Sequence, residues 1–256
     1  MRSNLLLLVI IWAPSSLNAQ ALPVQCAYRS LLQTEYAFVR EASASGIRAA
    51  FLHYLDERSV VFRPDPRPGR TVYTEWKETG ASLSWRPQLA GVSLEGDIGY
   101  TTGPWEYRNG PARPVIARGQ FVSVWKKDAS DTWRLVVDFG ASCKTRNSTD
   151  SLAIPGACDS TVRHLPVRGD KRGVEQEVLS LDSSLWHSNS SGTTPVFDSL
   201  AVLVREGSSP AVGVQAAQKW TGRLAGGICR PQFVDVSQSG DLAYTYGEMK
   251  YPKKRM

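Results

Sequence analysis

Sets of metal ligands are missing from this chain of 256 residues. Its four cysteines include no CxxC pair, and His53, His164 and His187 are scattered singly. Such spacing offers no ready zinc site, so neither a metal nor a cofactor is expected. A Gly-x-Ser-x-Gly elbow and a phosphate-cradling glycine loop are also lacking, which removes two common catalytic signatures. Basic residues form no stripe alternating with aromatics, and Lys253, Lys254 and Arg255 supply half of the net charge of +6. Nucleic acid is therefore not an expected partner. After the first twenty or so residues, no apolar run approaches the roughly 20 residues of a spanning helix, so no membrane partner is expected once that leader is removed.

The leader itself has a recognisable grammar. Arg2 gives a positive start, residues 5–12 are apolar without a break, and Ala19-Gln20-Ala21 forms a small-x-small site. These features predict a secretory signal peptide over residues 1–21 and an exported protein, periplasmic or extracellular. In an oxidising compartment an even number of cysteines can pair. Cys143 and Cys158 flank a polar segment and would close the shortest loop; the other reading leaves some cysteines reduced and buried.

What the chain has in plenty is itself. Residues 86–107 and 230–251 share Arg-Pro-Gln, Val-Ser, Gly-Asp, Tyr-Thr-x-Gly and a final Tyr in one register, 144 residues apart, and Trp76 and Trp220 keep the same spacing. A fixed offset over two dozen residues means a duplicated structural unit. In the first copy, residues 33–42 and 47–55 read as helices with Gly46 as the break, 59–62 as a short strand, and 71–79 as a short helix. Strands are then expected at 82–88, 91–94, 97–107, 119–127 and 132–139. Helices followed by a meandering antiparallel sheet define an α+β domain, placed at 28–140.

Residues 141–172 are rich in Ser, Thr, Gly, Arg and Asp and read as a linker. The second copy occupies 173–256, with Val178, Leu181 and Leu185 on one helical face, 195–200 in the place of the second helix, and 201–205 as the short strand. After Tyr107 the first copy continues for 33 residues to Gly140, whereas five residues follow Tyr251. The second copy is thus expected to lack its last strands and to leave open edges. A truncated product would account for that; so would completion by a partner or by a swapped strand.

The element order, together with GDIGYTTGPWEY at 96–107, FVSVWKK at 121–127 and WRLVVD at 133–138, resembles the nuclear transport factor 2-like superfamily. Within it the chain is most similar to exported bacterial proteins with SnoaL-like or ketosteroid-isomerase-like domains. The resemblance implies two tandem cone-shaped domains, with helices packed on a curved antiparallel sheet. It leaves function open, since enzymes, binding modules and assembly domains share this scaffold. Ketosteroid isomerases place an Asp base at the end of the short first strand, a Tyr on the first helix and a protonated Asp in the sheet. Laid on that pattern, Val60-Val61-Phe62-Arg63-Pro64 puts Arg63 at the base position, with Arg205 in the second copy, and Tyr36 falls on the first helix.

Arg63 and Arg205 could instead hold a carboxylate, or stand exposed at strand ends. His53 with Asp56 or Glu57 has the spacing of a base and its orienter, or of an ordinary helix surface. Aromatic side chains crowd the first copy. Tyr36, Phe51, Phe62, Arg63, Trp76, Trp85, Tyr100, Trp105 and Trp125 are the expected lining of an apolar pocket, although the same aromatics could simply fill the cone. Two functions follow: an exported protein that binds a small apolar or carboxylate-bearing molecule, or a SnoaL-like lyase, isomerase or hydrolase acting in the first domain only. Association of copies through the sheet face is a third reading.

Overall fold

A computed structural model describes residues 5–6, 9–12, 21–143, 170–187, 197–222 and 228–250. The chain divides into a larger unit, Leu17–Val162 with Val204–Pro210, and a smaller unit made of Met1–Ser16, Arg163–Leu203 and Ala211–Met256. The strands β1 (Leu5–Leu6) and β2 (Val9–Trp12) belong to the smaller unit.

The larger unit opens with α1 (Ala21–Ser45), which starts well before the expected residue 33. Leu31, Glu35, Phe38 and Ala42 recur at helical spacing and are buried along one face. The hydroxyls of Ser30, Thr34 and Ser43 bond back to carbonyls three or four residues earlier, so these polar residues do not interrupt the helix. Gly46 ends it with φ 91°, a conformation that costs glycine little. Next come α2 (Ile47–Tyr54), β3 (Leu55–Phe62), β4 (Pro66–Pro68) and α3 (Gly69–Thr74). The strand begins four residues earlier than expected because Leu55 turns directly into extended backbone.

β5 (Ser82–Trp85), β6 (Leu89–Val92), β7 (Ile98–Arg108), β8 (Val115–Lys127) and β9 (Trp133–Ser142) complete the sheet. Its order is β4-β3-β9-β8-β7, with β5 and β6 both on the far edge of β7; only β3 and β9 run parallel. The helices contribute Phe38 and Phe51 to an aromatic core. Phe38 meets Phe51 and Trp85 edge-on at 4.8 and 4.7 Å, while Phe51 stacks on Tyr73 at 3.9 Å. The two edge-on pairs have the T-shaped arrangement that ring quadrupoles favour. Segment 204–210 belongs here too, because Glu206 Oε2 accepts from the Ser142 amide and the Gly207 amide donates to the Ser142 carbonyl, both at 2.8 Å.

The smaller unit contains α4 (Lys171–His187), β10 (Val202–Leu203), β11 (Ala211–Val212), α5 (Val214–Gly222), β12 (Ile228–Val236) and β13 (Leu242–Lys250). Its first helix starts inside the expected linker. Val178 is buried as expected, but Leu181 is 48% exposed and Asp182 is the buried neighbour. Residues 197–200 form a turn rather than the end of a helix. β12 pairs with one edge of β13, and β2 and β1 pair with the other.

The repeated motifs now have physical causes. Ser93 closes the β6–β7 hairpin: its hydroxyl donates to Asp97 Oδ1 at 2.6 Å and accepts from the Ile98 amide at 3.2 Å, and its amide donates to the Ile98 carbonyl. Ser237, Asp241 and Leu242 make the same three bonds in the β12–β13 hairpin. Gly96 and Gly240, at φ 68° and 72°, complete the two turns. Arg-Pro-Gln marks an interruption facing β7 or β13. A Cβ on Gly103 would lie 1.9 Å from the Arg86 carbonyl oxygen, and one on Gly247 would lie 2.2 Å from that of Arg230. Glycine is required where two backbones approach this closely.

Candidate functional site

Glu35 stands on the buried face of α1, under three converging donors. Trp85 Nε1 from β5 donates to Oε1 at 2.6 Å, while Thr101 Oγ1 from β7 and Trp125 Nε1 from β8 donate to Oε2 at 2.6 and 2.9 Å. Complete burial pushes its carboxyl up to about 7; the Thr101, Trp85 and Trp125 bonds oppose the rise and the charge of Asp138 adds to it. The smaller unit has a reduced copy. Thr245 Oγ1 donates to Asp182 Oδ2 at 2.7 Å, and the Cys229 thiol lies 3.9 Å from Oδ1. Thr245 and Cys229 sit 144 residues beyond Thr101 and Trp85. Burial, with the Asp182 charge, pushes that thiol up to about 12.

Beside the Glu35 network the larger unit holds a cavity of about 260 Å³. Phe38, Phe51, Trp76, Leu83, Trp85, Trp105, Tyr107 and Phe121 wall it, and Arg63, Tyr73, Asp138 and Ser142 supply polar groups. Arg63 Nη2 donates to Tyr73 Oη at 2.7 Å and Nη1 to the Phe62 carbonyl at 3.0 Å, which fixes the guanidinium at the cavity wall. Ser123 Oγ donates to Asp138 Oδ1 at 3.3 Å. Burial raises the carboxyl of Asp138 and the hydroxyl of Tyr73 above their ordinary ranges, and the Arg63 charge opposes both shifts. Trp105 is seated by glycines: a Cβ on Gly119 would come within 2.7 Å of its ring, and one on Gly140 within 3.4 Å of Nε1. That indole nitrogen is buried without a hydrogen-bond partner.

Five of the nine expected lining residues, Phe51, Arg63, Trp76, Trp85 and Trp105, do meet at the cavity. Four do not. Tyr36 is 40% exposed, since it follows Glu35 and points about 100° away around the helix. Tyr100 lies on the other face of β7, its ring over Gly91, because strand side chains alternate. Trp125 is fully buried beneath the wall, bonded to Glu35, and Phe62 packs 6.3 Å from Phe139 outside the lining. Nor does His53 pair with Asp56 or Glu57, because the helix has ended before them; it bonds Glu41 Oε2 at 2.7 Å. Arg205 is not among the lining residues. Cys143 is buried just beyond β9, while Cys158 lies outside the described residues.

Asp138 and Tyr73 escaped the sequence reading. Asp138 ends the Trp133-Arg-Leu-Val-Val-Asp run, and a lone acid after apolar strand residues was the available signal. Among the described residues, no three His, Cys, Asp or Glu side chains gather into a potential metal site.

No family model matches the chain, and no curated protein does. Several solved structures are similar. An NTF2-like protein with a cystatin-like fold from Novosphingobium aromaticivorans is 13% identical, over 51% of this chain and 91% of that one, with a TM-score of 0.38. A ketosteroid isomerase-like protein from Erwinia carotovora atroseptica is 17% identical, over 49% and 98%, with a TM-score of 0.33. A protein of unknown function with a cystatin-like fold from Nostoc punctiforme is 10% identical, over 44% and 89%, with a TM-score of 0.36. The larger unit is an α+β domain, with its helices packed on a curved, mainly antiparallel sheet. Its order of two helices, strand, short helix and curved sheet is the one that the resemblance implies.

Proposed function

We propose that the larger unit binds a small, flat, apolar molecule that presents a carboxylate or carbonyl oxygen to Arg63, and that the protein is exported to do so. The observation that carries this reading is the cavity itself: aromatic on most sides, with a guanidinium fixed in its wall by Tyr73. Apolar walls supply most of the affinity in such a site, and one well-placed polar group sets orientation. Arginine suits the task because its planar fork matches an oxygen pair and stays charged. Export is supported by the apolar run before Ala19-Gln20-Ala21.

A second reading makes the unit an enzyme in which Asp138 moves a proton. It is favoured by the raised carboxyl of Asp138 in a cavity that also holds Arg63 and Tyr73. A thermal-shift screen of the full chain against aromatic and alicyclic carboxylates, ketones and sterols separates the outcomes. A binder at one hundred times its Kd should stabilise by about 2.7 kcal/mol. If no compound moves the melting temperature or quenches tryptophan emission, the binding reading fails. Turnover of a bound compound that vanishes in Asp138→Asn would favour the enzyme.

A further inference from the structure

In the larger unit β7 is flanked by β6 on one edge and β8 on the other. In the smaller unit β13 corresponds to β7 and β12 to the β5–β6 edge, so one place is left, that of β8. It is taken by the beginning of the chain. Leu242, Ala243, Tyr244 and Thr245 pair with Trp12, Ile11, Ile10 and Val9. Their counterparts 144 residues earlier, Ile98, Gly99, Tyr100 and Thr101, pair with Lys126, Trp125, Val124 and Ser123. Both pairings are antiparallel and both descend in the same direction. Further along, Met249 pairs with Leu5 where Trp105 pairs with Gly119. Leu5–Leu6 and Val9–Trp12 therefore take the place of β8 at six positions along β13.

We propose that, in the chain that still carries its leader, Leu5–Leu6 and Val9–Trp12 complete the smaller unit by augmenting the β13 edge. Without them, β13 presents a row of unpaired amides and carbonyls along an edge whose inner neighbours, Tyr244 and Thr245, are buried. An apolar segment containing Val9, Ile10 and Ile11 suits that place, since β-branched residues fit a pleated, half-buried surface. Main-chain bonds supply the attachment and alternate side chains the selectivity, as in other strand additions. The same residues carry the export signature, so cleavage after Ala21 would remove the strand and open the edge.

Hydrogen exchange across residues 242–245 tests this in the full chain. The β13 amides that face away from β12 should exchange roughly tenfold or more slowly than in a chain beginning at Leu22. Ile10→Pro and Ile11→Pro should differ, because successive amides point to opposite edges and only one of the two removes a ladder bond. A synthetic peptide of residues 5–12 should restore protection to the shortened chain saturably. Equal protection in both chains, with no effect of either proline, would overturn the proposal. So would a shortened chain that protects β13 by self-association and ignores the peptide. Should the shortened chain lose the folded smaller unit altogether while the full chain keeps it, the strand is confirmed as structural.

Discussion

Replacing Glu35 by glutamine should alter the pH dependence of stability more than the stability itself. In the folded protein the carboxyl is raised from 4.5 to about 7. Between those values the folded state holds a proton that the unfolded chain releases, so stability falls as pH rises through the window and levels off above it. A shift of about 2.5 units corresponds to about 3 kcal/mol. The neutral acid can satisfy every neighbour: one oxygen accepts from Trp85, and the protonated one accepts from Trp125 and donates to Thr101. An amide cannot. Whichever way the glutamine side chain is turned, its NH2 group faces an indole N–H, either that of Trp85 or that of Trp125, and one donor is stranded at a cost of about 1–3 kcal/mol. Glu35→Gln should therefore be less stable than the parent near pH 5 by about 2 kcal/mol, and equal to it or slightly more stable near pH 8. Urea unfolding followed by tryptophan fluorescence at several pH values measures both. A stability difference that stays constant from pH 5 to pH 8 would refute the reasoning.

Gly103→Ala should cost about 3 kcal/mol, at the upper end for overpacking, because its Cβ would meet backbone rather than a movable side chain; thermal unfolding checks it. Ser93→Ala should destabilise the larger unit by about 1–2 kcal/mol through the lost turn bonds, and Ser237→Ala should do the same to the smaller unit. For any carboxylate found to bind, Arg63→Met should weaken binding by about tenfold to a hundredfold, the worth of a charged hydrogen bond. Tyr36→Phe and Tyr100→Phe should leave that affinity unchanged in the same titration, since neither side chain lines the cavity.

The repeat made the fold legible because duplicated turns and close backbone approaches need particular residues. Ser93, Gly96, Asp97 and Gly103 recur since each is dictated by local geometry. The site was legible where bulk sufficed, as for Phe51, Trp76, Trp85 and Trp105, and at Arg63 through its place at the end of the short strand. Tyr36 was misplaced by a single helical position, and Tyr100 by the parity of a strand. Glu35 was visible in principle, as a charged residue in the Leu31, Phe38, Ala42 stripe of α1. Its meaning was not, because two of its partners come from strands 50 and 90 residues away. Pairings that distant are set by topology, which periodicity does not report. The early start of α1 was hidden by the signal-like composition before it.

The closed Ser93 and Ser237 turns also bear on how the chain avoids misassembly. Two strands that obey the same pairing rules 144 residues apart could exchange partners, β12 docking on β7 in place of β6, a characteristic failure of repeated sequences. Each hairpin is joined by a turn so short that it closes in about 1–10 μs. The competing long-range encounter must first bring distant parts of the chain together at a greater entropic cost. Kinetic priority, written into a serine and an aspartate beside a glycine, keeps each copy paired with itself.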